Sequence, residues 1–184
     1  MAISTDVAIE LLDGAASRAD GLVDLLTKLV NEVYADAERG LWRDGARRTS
    51  CAEVADLIAA GEVAVARHRD GRIVGSVHVR RIADDTGELG MLVAAPDHRG
   101  LGIGRALVEF AERHTREQGL RAIQLELLVP RGWRHPTKEF LGSWYSRIGY
   151  RVVGIGSLDD AHPHLAPLLA TPCDLQVREK PLGR

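Results

Sequence analysis

The stretch Leu92-Val-Ala-Ala-Pro-Asp-His-Arg-Gly-Leu-Gly-Ile-Gly-Arg105 decides the fold, because three glycines recur in it at every second position. Glycine has no Cβ, so a ligand can approach the backbone closely at Gly100, Gly102 and Gly104. The first N–H groups of a helix that follows such a loop point outward and favour an anion. The pattern therefore predicts a pyrophosphate-binding loop, and a tight strand-to-helix turn without a ligand is the alternative.

The residues on either side of this loop predict a strand before it and a helix after it. Residues 89–95 form a continuous apolar run, which is typical of a strand buried on both faces. After the loop, apolar residues recur at the three- and four-residue spacing of one buried helix stripe, and Gln118-Gly119 ends the helix. The unit is therefore a strand, an anion-binding loop and a helix.

Three families of phosphate-binding loop use such a unit, and the spacing of the glycines separates them. A dinucleotide-binding fold needs G-x-G-x-x-G, but Arg105 or Leu107 stands where the third glycine belongs. A Walker A loop needs Gly-Lys-Ser/Thr at its end, and neither Gly102-Ile nor Gly104-Arg supplies it. The remaining pattern, Arg/Gln-x-x-Gly-x-Gly/Ala, fits residues 99–104. Here the chain resembles the GCN5-related N-acetyltransferase (GNAT) superfamily.

Length and composition agree with one ordinary domain. The chain has 184 residues, of which 45% are hydrophobic and 27% charged, so it can bury a substantial core. We therefore expect a single GNAT N-acetyltransferase domain over residues 1–184. The formal net charge of −2 gives no reason to expect nucleic acid or an anionic membrane as a partner. No charge-free apolar run approaches the roughly 18 residues of a membrane span, and we expect a cytoplasmic protein.

The predicted elements alternate as in an α/β (α+β) protein. In order they are strand 7–12, helix 20–34, a helix that begins at Thr49 or Ser50 and stops at Gly61, strands 62–67 and 72–80 around the turn Asp70-Gly71, the loop unit above, strand 122–129 and a final strand at 174–178. The resemblance implies the GNAT-type acyl-CoA N-acyltransferase fold. That fold has a central mixed and mostly antiparallel sheet with two splayed parallel strands, and helices on both faces.

Two carboxylates compete for the role of general base. Glu126 lies in the apolar strand 122–129, where a carboxylate is costly to bury unless it is hydrogen-bonded, paired or next to a wet cleft. A solvated strand end or a structural ion pair is the alternative. The resemblance favours Glu126, because Leu-Glu-Val/Leu at this strand often carries the base in N-terminal and small-amine acetyltransferases. Many members instead place the base eight residues before Pro96, where this chain has Glu88, although Glu88 could simply begin its strand in water.

Residues 140–150 resemble the second GNAT signature, a helix that carries a tyrosine and ends in Gly-Phe or Gly-Tyr. Tyr145 is the matching residue, and a plain core stripe with its hydroxyl bonded to the backbone is the alternative. The resemblance implies that acetyl-CoA lies between the splayed strands and that an amine of a small molecule or peptide attacks it directly, without a covalent acyl-enzyme. Glu126 or Glu88 would take a proton from the amine, and Tyr145 would face the departing sulfur. The residues implied to bind acetyl-CoA are Leu92, Val93, Ala94, Arg99, Gly100, Leu101, Gly102, Ile103, Gly104 and Arg105.

The acceptor and the remaining partners are less constrained by the sequence. In this superfamily the first two helices and their connection select the acceptor, and the candidates here are Glu38, Trp42, Arg47 and Arg48. An aromatic residue beside a carboxylate could hold a cationic amine. The segment 130–138 is longer than the family's short loop, and its basic residues could form a lid, contact the 3′-phosphate of CoA or face solvent. A homodimer is possible. A catalytically silent acyl-CoA-binding or sensing module is the alternative function.

Neither cysteine nor histidine spacing indicates a metal site. Cys51 and Cys173 lack a neighbouring Cys or His at ligand spacing, so we expect two free thiols. His162 and His164 flank a proline in a loop, and two such histidines alone do not make a metal centre. We therefore expect acetyl-CoA as a co-substrate and no metal.

Overall fold

The chain is described by a computed structural model over residues 6–98 and 100–183. Short 3₁₀ turns at Gly14–Arg18, Pro96–His98 and Ala166–Leu168 join some of the elements. The helices and strands are β1 (Val7–Leu11), α1 (Leu22–Ala37), α2 (Cys51–Ala59), β2 (Val63–His68), β3 (Ile73–Arg81), β4 (Thr86–Ala94), α3 (Ile103–Glu117), β5 (Ala122–Pro130), α4 (Pro136–Arg147), β6 (Arg151–Gly156), α5 (Leu158–Ala161) and β7 (Cys173–Pro181).

The strands of the described residues form one sheet in the order β1-β2-β3-β4-β5-β7-β6. β4 and β5 are parallel, whereas the other neighbouring strands run antiparallel. The pairing between β4 and β5 covers residues 86–88 and 122–124, and beyond it the two strands separate. The predicted mixed sheet with two splayed parallel strands is therefore confirmed.

Helices cover both faces of this sheet, as β2 demonstrates. Successive strand residues point to opposite faces, so the alternate residues of β2 enter different cores. Val63 and Val65 pack with residues of α1 and α2. Ala64 and Ala66 pack instead in the core that contains residues of α3 and α4. The sheet is thus the middle layer between two pairs of helices.

Local sequence signals account for several of these boundaries. The Ser50 side chain accepts a hydrogen bond from Glu53 N at 3.2 Å and caps α2, as the sequence predicts. Gly75 on β3 allows α3 to approach, because a Cβ there would lie 2.9 Å from a methyl of Ile103 and 2.7 Å from Val93 O. Any larger residue at 75 would push the helix that follows the glycine loop away from the sheet.

Two parts of the carboxyl-terminal third differ from the sequence expectations. Helix α4 begins at Pro136, so residues 136–138 lie in its first turn and not in a loop. Proline suits this position, because its fixed φ favours a helix start and its missing N–H is not needed there. Strand β6 and the short helix α5 have no counterpart among the predicted elements. β6 is a short and largely exposed edge strand, so its sequence carries little hydrophobic alternation.

Both cysteines are free thiols, as predicted; Cys51 is exposed and Cys173 is buried. Among the described residues, none of the helices combines the length and apolarity needed to cross a bilayer. The cytoplasmic location stays a prediction.

Candidate active site

A cavity of about 120 Å³ lies where β4 and β5 separate. Residues of α1, β4, β5, α4 and the loop that follows α5 line it, so elements from both faces of the sheet meet there. Among the predicted site residues, those on its wall are Glu38, Trp42, Arg48, Leu92, Glu126 and Tyr145. Clefts lined by apolar side chains with a few convergent polar groups commonly hold small molecules.

The backbone of β4 is distorted and partly unpaired beside this cavity. The register between β3 and β4 shifts at Ser76/His78, which places a bulge in β4. Met91 in the bulge has a φ of 44°, a value that residues other than glycine rarely adopt. Because the pairing with β5 ends at Glu88 in the described strands, the edge of β4 beyond it offers N–H and C=O groups to a ligand.

The glycine loop leads into the amino terminus of α3, where backbone amides are available. Gly102 is the N-cap with a φ of 82°, and no side chain caps the helix. Ala106 N donates to Gly102 O, so the amides of residues 103–105 precede the first intrahelical bond, and they have no acceptor within the described residues. A Cβ built on Gly100, Gly102 or Gly104 would meet no described atom within 4 Å. The loop therefore borders open space and fits a pyrophosphate group.

The structure describes one of the two arginines predicted for this loop, Arg105. The Arg105 side chain extends along α3, where Nε donates to Glu109 Oε1 at 2.8 Å, and both side chains are largely exposed. The charge of Arg105 at the loop is thus partly offset by its neighbour. Arg99 lies outside the described residues.

Glu126 is paired with a histidine on the cavity wall. His162 Nε2 lies 2.6 Å from Glu126 Oε2, and the two side chains are 26% and 24% exposed. The Glu126 carboxylate is thus partly buried and also reaches the cavity. The hydrogen bond with His162 offsets the cost of its partial burial. Sequence reasoning considered His162 only as a metal ligand. The described residues contain no group of three or more metal-ligating side chains.

Glu88 lies elsewhere on the sheet. Its Oε1 accepts hydrogen bonds from Arg80 Nη2 at 2.9 Å and Arg80 Nε at 3.1 Å, across the β3–β4 pair. It belongs to the paired part of β4, before the strands separate, and it is not among the residues that line the cavity. The geometry therefore brings Glu126, and not Glu88, to the cavity.

Tyr145 on α4 faces the same cavity with a hydroxyl that stays protonated. The residue is 6% exposed, and burial raises the pKa of its phenol well above the ordinary value. The neighbouring Tyr34 raises this pKa further, whereas Arg178 opposes the shift. Within the described residues its hydroxyl has no hydrogen-bond partner, so it can donate to a bound group.

The predicted acceptor residues Glu38 and Trp42 form a network with Lys138. Glu38 and Lys138 are each 5% exposed and make an ion pair between α1 and α4. Trp42 Nε1 donates to the other oxygen of Glu38 at 2.5 Å. Both carboxylate oxygens are therefore occupied by side chains of this chain.

The basic segment between β5 and α4 is also largely paired with carboxylates. Arg131 Nε donates to Asp174 Oδ1 at 2.6 Å, and Arg134 Nε donates to Glu139 Oε1 at 2.5 Å. Trp133 Nε1 lies 3.4 Å from Thr171 Oγ1. These contacts tie the segment to β7 and α4, which accounts for its charges without a ligand.

Proteins of similar sequence point to one family. The model of the acetyltransferase (GNAT) family matches residues 27–135, more than half of the chain. Mycothiol acetyltransferase of Propionibacterium freudenreichii subsp. shermanii is 36% identical over 93 residues, which cover 48% of this chain and 27% of that relative. A relative from Bacillus subtilis (strain 168) is 30% identical over 92 residues, which cover 50% of this chain and 55% of the relative. The chain thus spans about a quarter of the length of the first relative and little more than half of the length of the second.

Solved structures share the architecture. PaiA N-acetyltransferase from Thermoplasma acidophilum, solved in complex with coenzyme A, aligns with a TM-score of 0.69 at 17% identity. The alignment covers 96% of this chain and 99% of that one. At this identity the likeness shows the fold, and the sequence match over residues 27–135 shows the family. This chain belongs to the acetyltransferase (GNAT) family.

Proposed function

We propose that this chain transfers an acetyl group from acetyl-CoA to an amine of a small molecule or peptide, by direct attack and without a covalent acyl-enzyme. The observation that carries the proposal is the shared cavity at the opening between β4 and β5. A carboxylate–histidine pair, a protonated tyrosine and an unpaired strand edge meet there. The proposal also agrees with the family to which the chain belongs.

The donor side of the site consists of backbone groups. The free amides at the start of α3 hold the pyrophosphate, because a helix amino terminus favours negative charge. The unpaired edge of β4 orients the pantetheine arm, with the amides near Val93 directed at the carbonyl oxygen that becomes negative. When bound, acetyl-CoA supplies a thioester carbonyl as the acceptor of the attack.

Glu126 and His162 act on the amine. An alkylammonium ion has a pKa of about 10, so it must lose a proton before its nitrogen can attack. The Glu126 carboxylate takes that proton, directly or through water, and its hydrogen bond with His162 orients it toward the cavity. Glu88 is the weaker candidate for this role, because its carboxylate is bound by Arg80.

Tyr145 acts on the leaving group. Its phenol is protonated at neutral pH, as an ordinary phenol with a pKa of about 10 is, and burial raises that pKa further, so it donates a hydrogen bond to the developing thiolate. Burial raises the pKa of Cys173 to about 11, so its thiol is not ionised at neutral pH. A cysteine nucleophile is therefore disfavoured, because the thiolate is the reactive form. Cys51 begins α2 and is not among the residues that line the cavity.

Release of the CoA thiol in the presence of a panel of amines tests this function. We expect thiol release that depends on both acetyl-CoA and the amine, and we expect mass spectrometry to detect the acetylated amine. Binding of acetyl-CoA without turnover of any amine or peptide would instead identify an acyl-CoA-binding or sensing module.

A further inference from the structure

The cavity contains one cationic side chain that no carboxylate neutralises. The Arg48 guanidinium lies over the Tyr34 ring with Cζ 5.3 Å from the ring centroid, and both residues line the cavity. The Arg48 backbone N–H donates to Asn31 Oδ1 at 2.8 Å, which fixes the start of the side chain. In the part of the chain that the structure describes, no carboxylate lies within ion-pair distance of this guanidinium.

The other charges of the cavity wall are already matched. Glu38 and Lys138 neutralise each other in a buried pair. Glu126, which we assign to the amine, is bonded to His162. The cavity therefore offers the Glu126 carboxylate to an ammonium group, and the positive charge of Arg48 is not paired with a carboxylate of the described residues.

The stacking on Tyr34 prepares Arg48 to bind an anion. Burial raises the pKa of the Tyr34 phenol, and the Arg48 guanidinium, which also interacts with the Tyr34 hydroxyl, opposes that shift. A guanidinium has five N–H donors, so further donors are available to the two oxygens of a carboxylate. The contact with the ring and the backbone hydrogen bond to Asn31 restrict the Arg48 side chain, so less side-chain entropy is lost when the ligand binds.

We propose that the acceptor is a small amino acid, whose ammonium group meets Glu126 while its carboxylate binds Arg48. This inference rests on the proposed function and specifies its substrate class. A hydrogen-bonded pair of charges of this kind is worth roughly 1.5–3 kcal/mol, or about 10- to 100-fold in affinity.

Matched acceptors and matched variants test the proposal. A panel of amino acids is compared with the corresponding carboxamides, which have nearly the same shape but no charge, and rates are expressed per unprotonated amine. We expect wild type to favour the acid by about tenfold or more in kcat/KM. Arg48→Gln should remove that preference, chiefly through KM for the acid, and leave the carboxamide within about twofold. Arg48→Lys should keep part of the preference for the acid over the carboxamide.

Arg39→Gln is the matched control, because Arg39 is exposed, pairs with Asp36 and does not line the cavity. This variant should have the wild-type kcat/KM for both the amino acid and the carboxamide. Equal use of acid and carboxamide by wild type would overturn the inference, as would an equal loss for both acceptors in Arg48→Gln, which would mark a structural role. Absence of thiol release with every amine would overturn the proposed function, and the inference would fall with it.

Discussion

Replacing Glu126 by Gln separates the two candidate bases and tests the assignment of the proton transfer. Glutamine has nearly the same size and keeps a hydrogen-bonding oxygen within reach of His162, so the 2.6 Å contact can be retained in altered form. The change removes the negative charge that accepts the proton. The expected loss is therefore chemical and not a loss of folding.

The size of the loss follows from the protonation of the amine. At about pH 7.5, an amine with a pKa of about 10 is unprotonated in roughly one molecule in 300, and a positioned base contributes roughly 10²- to 10⁴-fold. We expect kcat/KM of Glu126→Gln to fall by about 100-fold or more at this pH. The deficit should shrink by about tenfold per pH unit as the free amine becomes abundant, whereas wild type changes less steeply.

Glu88→Gln is the control in the same assay of CoA thiol release. Because Glu88 is bound to Arg80 and does not line the cavity, this variant should stay within about threefold of wild type. Activity of Glu126→Gln near that of wild type at pH 7.5, or a 100-fold loss in Glu88→Gln, would refute the assignment.

Three further outcomes follow from the buried polar groups. Tyr145→Phe should lower kcat by about tenfold or more with little change in affinity for acetyl-CoA, because only the hydrogen bond to the leaving sulfur is lost. Lys138→Met should lower the free energy of unfolding in urea by about 3–5 kcal/mol, since it leaves the buried Glu38 uncompensated. The tyrosines of the chain, Tyr34, Tyr145 and Tyr150, all have raised pKa values, so folded protein should show less phenolate absorbance near pH 10 than unfolded protein. Their contribution to stability is present below about pH 10, and above it the phenols of Tyr145 and Tyr150 should each lower the free energy of unfolding by about 1.4 kcal/mol per pH unit.

Each of these outcomes has a result that contradicts it. Unchanged turnover of Tyr145→Phe would remove this hydroxyl from the mechanism. A Lys138→Met variant as stable as wild type would show that the ion pair with Glu38 is not needed, whereas partial recovery in a double variant with Glu38→Gln would support the coupling. An ordinary phenol titration before any loss of the folded circular dichroism signal would contradict the burial of the tyrosines.

Several features of the fold were predictable because their signals are local. The spacing of the glycines, the cap at Ser50 and the turn at Asp70-Gly71 each depend on a few neighbouring residues. The period of two along β5 separates Glu126 from the buried leucines on either side of it, and the structure has the same alternation.

The acceptor side could not be predicted in the same way, because it depends on contacts between distant parts of the chain. His162 is 36 residues from Glu126, and it reaches the cavity because β7 inserts between β5 and β6 and returns the connecting loop to β5. Lys138 is 100 residues from Glu38, and the sequence placed it in a basic loop. No local pattern signals either pairing, since each is set by the order of strands and by the packing of α1 near α4.

The whole mechanism depends on the proposal that the amides at the start of α3 hold the pyrophosphate of coenzyme A. Backbone ¹⁵N–¹H chemical shifts, measured during titration with CoA and separately with pantetheine, which lacks the diphosphate, test it most directly. We expect CoA to cause its largest shifts at residues 100–105 and pantetheine to leave those amides nearly unchanged. Saturation with CoA that does not move these signals would contradict it.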